Sequence, residues 1–168
     1  LLTDMVGEFP ELQGVMGRYY ALHDGLATDI ADAIEDHYKP RFAGDSLPRG
    51  QVGTIVALAD KLETLVGMFG IGQIPTGDRD PFALRRHALG VIRMLAENDL
   101  DLPLDQLLAL AGSAFAAVDG FRPSDSVLAD FIYERLAGNL REQDFTAQEV
   151  DAVVSQRPQR LGDIPKRL

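Results

Sequence analysis

An all-α fold is what the 168-residue sequence predicts, and three features carry that expectation. Apolar residues recur at i, i+3, i+4 and i+7 through most of the chain, the repeat of a helix with one buried face. No segment alternates apolar and polar residues with the period of two that marks a half-buried strand. Prolines and glycines fall between the periodic segments, where helices start and stop. The pattern predicts about seven or eight helices, packed irregularly and not as a simple four-helix bundle.

Leu1 to Glu8 reads as the end of one helix, and Pro10 suits the first turn of a second helix, or of a kinked continuation, that runs to about Leu22. Gly14 and Gly17 weaken it and suggest close approach to a neighbour. Gly25 is its left-handed terminator. Thr28 to Tyr38 is a short amphipathic helix with Ile30, Ala31, Ala33, Ile34 and Tyr38 inward and Asp29, Asp32, Glu35 and Asp36 outward. Pro40 stops it, and Arg41 to Gly50 is loop. Val52 to Phe69 is the strongest helix, with Val52, Ile55, Val56, Ala59, Leu62, Val66 and Phe69 on one stripe and Leu58, Leu65 and Met68 filling much of the remaining circumference. A helix apolar nearly all round belongs at the centre of a fold, which makes Asp60 and Lys61 conspicuous.

After a loop over Gly70–Arg79, Asp80-Pro81 is an N-cap with proline in the first turn of a helix running to about Glu97. Leu84, Ala88, Val91, Ile92 and Leu95 form its core stripe. Leu104, Leu107, Leu108, Ala111, Phe115 and Val118 make another stripe after Pro103. A further helix covers about Ser126 to Arg141, with Leu128, Phe131, Ile132, Leu136 and Leu140 inward. Thr146-Ala147-Gln148-Glu149 is a capping box opening the last helix, which Pro158 ends.

Composition narrows the chemistry. Cysteine is absent, which excludes disulfides, thiolate metal sites and thiol catalysis, and a reduced, cytoplasmic setting fits. No apolar run approaches the roughly 20 residues needed to span a bilayer, so no membrane partner is expected. The net charge of −10 argues against broad nucleic-acid affinity while leaving room for a local basic patch. The chain opens already in a helical pattern and stops at Leu168 where another helix could begin, so it reads as part of a longer polypeptide.

Few residues are arranged for chemistry. Arg79, Arg86 and Arg93 lie beside or along the helix that follows Asp80-Pro81, where guanidinium groups near helix N–H groups suit phosphate, although a solvated helix face explains the same pattern. Arg85 falls at the edge of the core stripe, so it reads as a structural arginine with Asp60 as its ion-pair partner. The glycines of Gly70-x-Gly72 follow a helix, not a strand, and no lysine-serine ending is present, so they form no nucleotide loop. No complete catalytic constellation is found, and neither a metal site nor a cofactor site is expected.

His23-Asp24 followed by Ala59-Asp60 is similar to the ligand order of HD-superfamily phosphohydrolases, whose histidines and carboxylates hold a divalent metal that activates water. Here only His23, His37 and His87 are available, and His23 and Asp24 read more readily as the end of a helix. His23, Asp24 and Asp60 are therefore degenerate HD positions, with a working phosphohydrolase as the alternative.

A wider resemblance runs through Glu11–Gly17, His23-Asp24-Gly25, Pro40–Asp45, Ala59-Asp60-Lys61 and, above all, Phe69–Arg86, and continues more weakly to Arg157-Pro158-Gln159-Arg160. On these segments the chain resembles the β subunit of bacterial glycyl-tRNA synthetase, the α2β2 type. The resemblance implies an HD-like helical domain over residues 1–100 and a continuing helical body over 101–168, ahead of a C-terminal anticodon-binding domain. It also implies an α-subunit partner that binds ATP and glycine, a tRNA(Gly) substrate, and a ligase activity that this stretch does not catalyse alone. The stretch would help to bind or position tRNA, or serve purely as a scaffold.

Overall fold

The computed structural model describes residues 3–168; the expected start of the first helix at Leu1 and Leu2 lies outside them. Among these residues eight α-helices follow one another: α1 (Asp4–Glu8), α2 (Val15–His23), α3 (Thr28–Asp36), α4 (Gly50–Gly70), α5 (Leu84–Glu97), α6 (Leu104–Ser113), α7 (Asp125–Glu142) and α8 (Ala147–Val154). Among the described residues there is no strand, only one isolated bridge between Thr76 and Arg79. Among the described residues no helix is long and apolar enough to cross a membrane. The chain forms two compact units, Leu1–Asp60 and Lys61–Leu168, with the boundary inside α4.

In the first unit α2 packs on α3. The expected close approach occurs: a Cβ on Gly17 would lie 2.7 Å from Ile34, and one on Gly14 2.9 Å from the Tyr38 ring. The single helix expected from Pro10 is broken into a 3-10 turn at Pro10–Leu12 and α2, because Gly14 takes a φ of 82°. The outward placing of Asp36 is corrected. Its carboxylate has no solvent exposure and receives the Arg49 backbone N–H at 2.6 Å, Arg49 Nη2 at 2.8 Å and Lys39 Nζ at 2.9 Å. Arg49 also donates to Glu35, and Arg18 pairs with Asp32, so α2, α3 and the loop before α4 share one ion cluster. Conversely Ile30, expected inside, is 44% exposed.

The second unit holds the larger core. Leu84, Val91, Ile92 and Leu95 of α5, Leu104 and Leu108 of α6, and Leu128, Ile132 and Leu136 of α7 are buried, as their periodicity predicts, and Leu65 of α4 is buried with them. α7 packs against α5, α6 and α8, and a 3-10 turn at Leu161–Asp163 packs on α5. Val118, expected in the stripe of α6, lies beyond the end of that helix and is 49% exposed.

The capping box of α8 forms as the sequence indicates: Glu149 N–H donates to Thr146 Oγ1, and Thr146 N–H to Glu149 Oε2. Replacing Thr146 by alanine removes one acceptor for the first-turn amides and is expected to cost about 1 kcal/mol. Urea denaturation followed by far-UV circular dichroism checks this.

Candidate functional site

The stretch from Phe69 to Arg86 joins α4 to α5, and its first two glycines have distinct physical reasons. α4 ends in a Schellman motif, with Gln73 N–H donating to Met68 O at 2.8 Å and Gly72 N–H to Phe69 O at 3.0 Å. Gly72 occupies the left-handed position with φ 77°, which a side chain would strain. Gly70 is required by space: the Phe121 ring lies against it, and a Cβ there would sit 2.0 Å from Phe121 Cε2. Arg122 N–H donates to Gly70 O at 2.9 Å, tying the segment before α7 to the end of α4. These are turn and packing glycines, not a nucleotide loop.

Beyond them the chain makes a tight turn. Thr76 and Arg79 exchange backbone hydrogen bonds at 3.1 and 2.9 Å across Gly77 and Asp78. Arg85 Nη2 donates to Gly77 O and holds the turn against α5. Asp80 turns both carboxylate oxygens toward α5, accepting from Leu84 N–H at 2.7 Å and Arg85 N–H at 2.9 Å. It acts as a helix cap in function but not in position. α5 begins at Leu84, not at Pro81, because Ala83 adopts a left-handed φ of 53° and interrupts the expected first turn.

The site residues separate by environment. Arg79 and Arg86 are exposed and have no ion-pair partner among the described residues. Arg79 stands at a cleft of about 550 Å³ that Gln73, Thr76, Asp80 and Phe82 also line. Arg93 is not on an open polar face: its side chain is 13% exposed and pairs with Glu97 at 2.6 Å. The phosphate site imagined at the free amides of α5 is corrected too, since Asp80 already takes two of them and Ala83 O accepts those of Arg86 and His87. On α4, Asp60 is exposed and Lys61 is the buried charge at 3%. The burial that motivated an Asp60–Arg85 pair therefore falls on the neighbouring residue.

His23 is the last residue of α2, and Asp24 follows as its C-cap; both are exposed. Gly25 takes φ 80° and Leu26 N–H returns to Ala21 O at 3.0 Å, so the His-Asp-Gly string is the terminator of a helix. Among the described residues no three His, Asp or Glu side chains are grouped to hold a metal ion. Arg135 escapes sequence reasoning. It lines a groove of about 570 Å³ with Gly77, Asp78, Arg85 and Glu134, and its guanidinium lies 6.0 Å from the Phe131 ring centre. Nothing in the pattern of α7 marks it, because the turn it meets belongs to a distant part of the chain.

Comparison with known sequences then decides the family. Residues 1–155 match the family described as glycyl-tRNA synthetase beta subunit. The chain belongs to that family. It is 84% identical over all of its 168 residues to the glycine–tRNA ligase beta subunit of Dechloromonas aromatica (strain RCB), covering 24% of that protein. It is 72% identical over its whole length to the beta subunit of Polaromonas naphthalenivorans (strain CJ2), covering 23%. It is 73% identical to that of Delftia acidovorans (strain DSM 14801 / SPH-1), covering 24%. The chain thus spans about a quarter of the length of the curated relatives it matches.

Several segments that carry the resemblance to the β-subunit family have structural tasks here. Asp45, 8% exposed, accepts Arg41 N–H at 2.8 Å and Arg41 Nε at 2.9 Å, closing the loop that begins at Pro40. Gln159 accepts the first amides of α6, Leu104 N–H on its backbone oxygen at 2.9 Å and Asp105 N–H on its side chain at 3.1 Å. Tyr133 of α7 donates its hydroxyl to Pro158 O at 3.0 Å.

Proposed function

We propose that this chain is a non-catalytic, tRNA-contacting part of a glycyl-tRNA synthetase β subunit, and that its RNA contact runs through Arg79 and Arg86. The full enzyme of this reading is a cytoplasmic α2β2 ligase that joins glycine to tRNA(Gly). ATP is used on the α subunit, and no cofactor is held by this chain. Residues 1–100 are its HD-like portion and 101–168 a continuing helical body. The observation that carries the contact is the state of the two guanidinium groups: exposed, flanking the start of α5, and without an ion-pair partner among the described residues of a chain of net charge −10. In such a chain a phosphate is met locally, by a few cations that read backbone shape and not base sequence. Arg93 is taken up by Glu97 and contributes less.

Arg79→Ala with Arg86→Ala in the intact holoenzyme tests the reading. The slope of log affinity for tRNA against log salt is expected to shrink by about 1 for each phosphate that an arginine no longer neutralises. Glycine-dependent ATP–pyrophosphate exchange, which needs no tRNA, should be unchanged. An unaltered salt slope would leave a scaffold role in place of RNA contact.

A further inference from the structure

The first half of α4 carries a second apolar stripe that faces solvent. Val52 is 40% exposed, Ile55 66% and Val56 40%, and Ala59 is exposed beside them. Their repeat is helical, so they form one ridge. The opposite face of the same turns is already buried through Gly53, Thr54, Ala57 and Leu58. From Gln51 to Ala59 there is no charged residue; the first charges on the exposed face are Asp60 and Glu63. This is the part of the core stripe expected from the sequence that the structure leaves uncovered.

We propose that this ridge is an internal interface of the full-length β subunit, covered by polypeptide of the same chain lying outside residues 1–168. Two observations select that occupant. An uncharged aliphatic ridge offers nothing to a phosphate backbone, which requires cations, so it is no part of an RNA surface. And this chain accounts for 24% of the length of its relatives, so most of the polypeptide available to cover the ridge is covalently attached to it. Attachment raises its effective concentration above that of any separate partner. Helices apolar on both faces are found inside larger bodies. The inference rests on family membership and not on the RNA reading above.

The test uses the full-length β subunit with a photoreactive benzophenone amino acid in place of Ile55. It is photolysed alone and with the α subunit, in an equal mixture of isotopically heavy and light chains. Cross-links within one chain, to residues outside this region and formed without α, are the expected result. Cross-links only to α, mixed heavy–light pairs, or no cross-link at all would each overturn the proposal. Carbene footprinting of the unsubstituted β subunit provides a check free of any variant. Labelling of Ile55 should fall at least about five-fold between the unfolded and folded subunit, as for a side chain enclosed at interior density. A fall of less than about two-fold, as for an exposed side chain, would count against it.

Discussion

Asp36→Ala is expected to lower the stability of the first unit by about 3 kcal/mol. The carboxylate is fully buried, yet the Arg49 side chain that shields it is 45% exposed, so water screens part of the cluster. That places the cost at the lower end of the range for breaking a buried ion pair. The loss has two sources: the Arg49 backbone N–H is left without its acceptor, and Arg49 and Lys39 face each other without the intervening negative charge. Asp36→Asn retains an acceptor for the backbone N–H and should cost less. Urea denaturation of both variants checks the order; a change below about 0.5 kcal/mol for Asp36→Ala, the scale of an ordinary surface substitution, would sink the argument.

The same group makes a pH prediction. Burial pushes the Asp36 carboxyl up, but the side-chain and backbone hydrogen bonds from Arg49 and the contact with Lys39 outweigh it and hold the carboxyl below its ordinary value of 3.8. Burial likewise pushes the Asp45 carboxyl up, but the hydrogen bonds from Arg41 together with that from the Ser46 backbone outweigh it and hold the carboxyl low. A carboxyl whose folded value is depressed binds more protons when unfolded. Its stabilisation is therefore complete above the unfolded value and is lost as pH falls below about 4 toward the folded value. Acid titration of stability should show a steeper loss below that point in the native chain than in Asp36→Asn.

Gly70→Ala is expected to cost about 1–3 kcal/mol, although alanine is the better helix former. The added methyl would lie 2.0 and 2.3 Å from two carbons of the Phe121 ring, which itself stacks on Phe115 at 5.0 Å between centres. The ring cannot retreat without disturbing that stack and the Arg122–Gly70 hydrogen bond. The sign should reverse when the obstacle is removed. In a Phe121→Ala background, Gly70→Ala should be neutral or stabilising by up to about 1 kcal/mol, from helix propensity alone. A double-mutant cycle by chemical denaturation reads the coupling directly; additive effects would show that the close approach is relieved elsewhere.

Much of the second unit was legible in advance because its helices have one apolar stripe each. Leu84, Val91, Ile92 and Leu95 are buried on α5 as their spacing requires, and the box at Thr146 and Glu149 forms as written. α4 was less legible for a physical reason. A helix apolar on most of its circumference does not declare which stripe meets the core, and Val52, Ile55 and Val56 went to solvent while Ala57 and Leu58 went inside. Asp36 misled because an acid on a short amphipathic helix ordinarily faces water. Its burial depends on Arg49, on the far side of an irregular loop. At the candidate site, a helical wheel separates Arg85 from Arg86, and the structure leaves Arg85 half-buried and Arg86 exposed. That Asp80 caps this helix was readable from Asp80-Pro81; that the helix starts only at Leu84 was not, since it depends on a left-handed Ala83 that no propensity favours.

The turn before α5 has a consequence for engineering. Thr76 and Arg79 bond each other, Arg85 bonds Gly77, and Asp80 bonds Leu84 and Arg85, so this polar wiring closes on itself between positions 76 and 85. Such a segment behaves as a cassette. Its outward side chains can be exchanged, shortened or reversed in charge while the wiring that holds the turn is kept, so a graded series at Arg79 would titrate surface potential at a fixed backbone position.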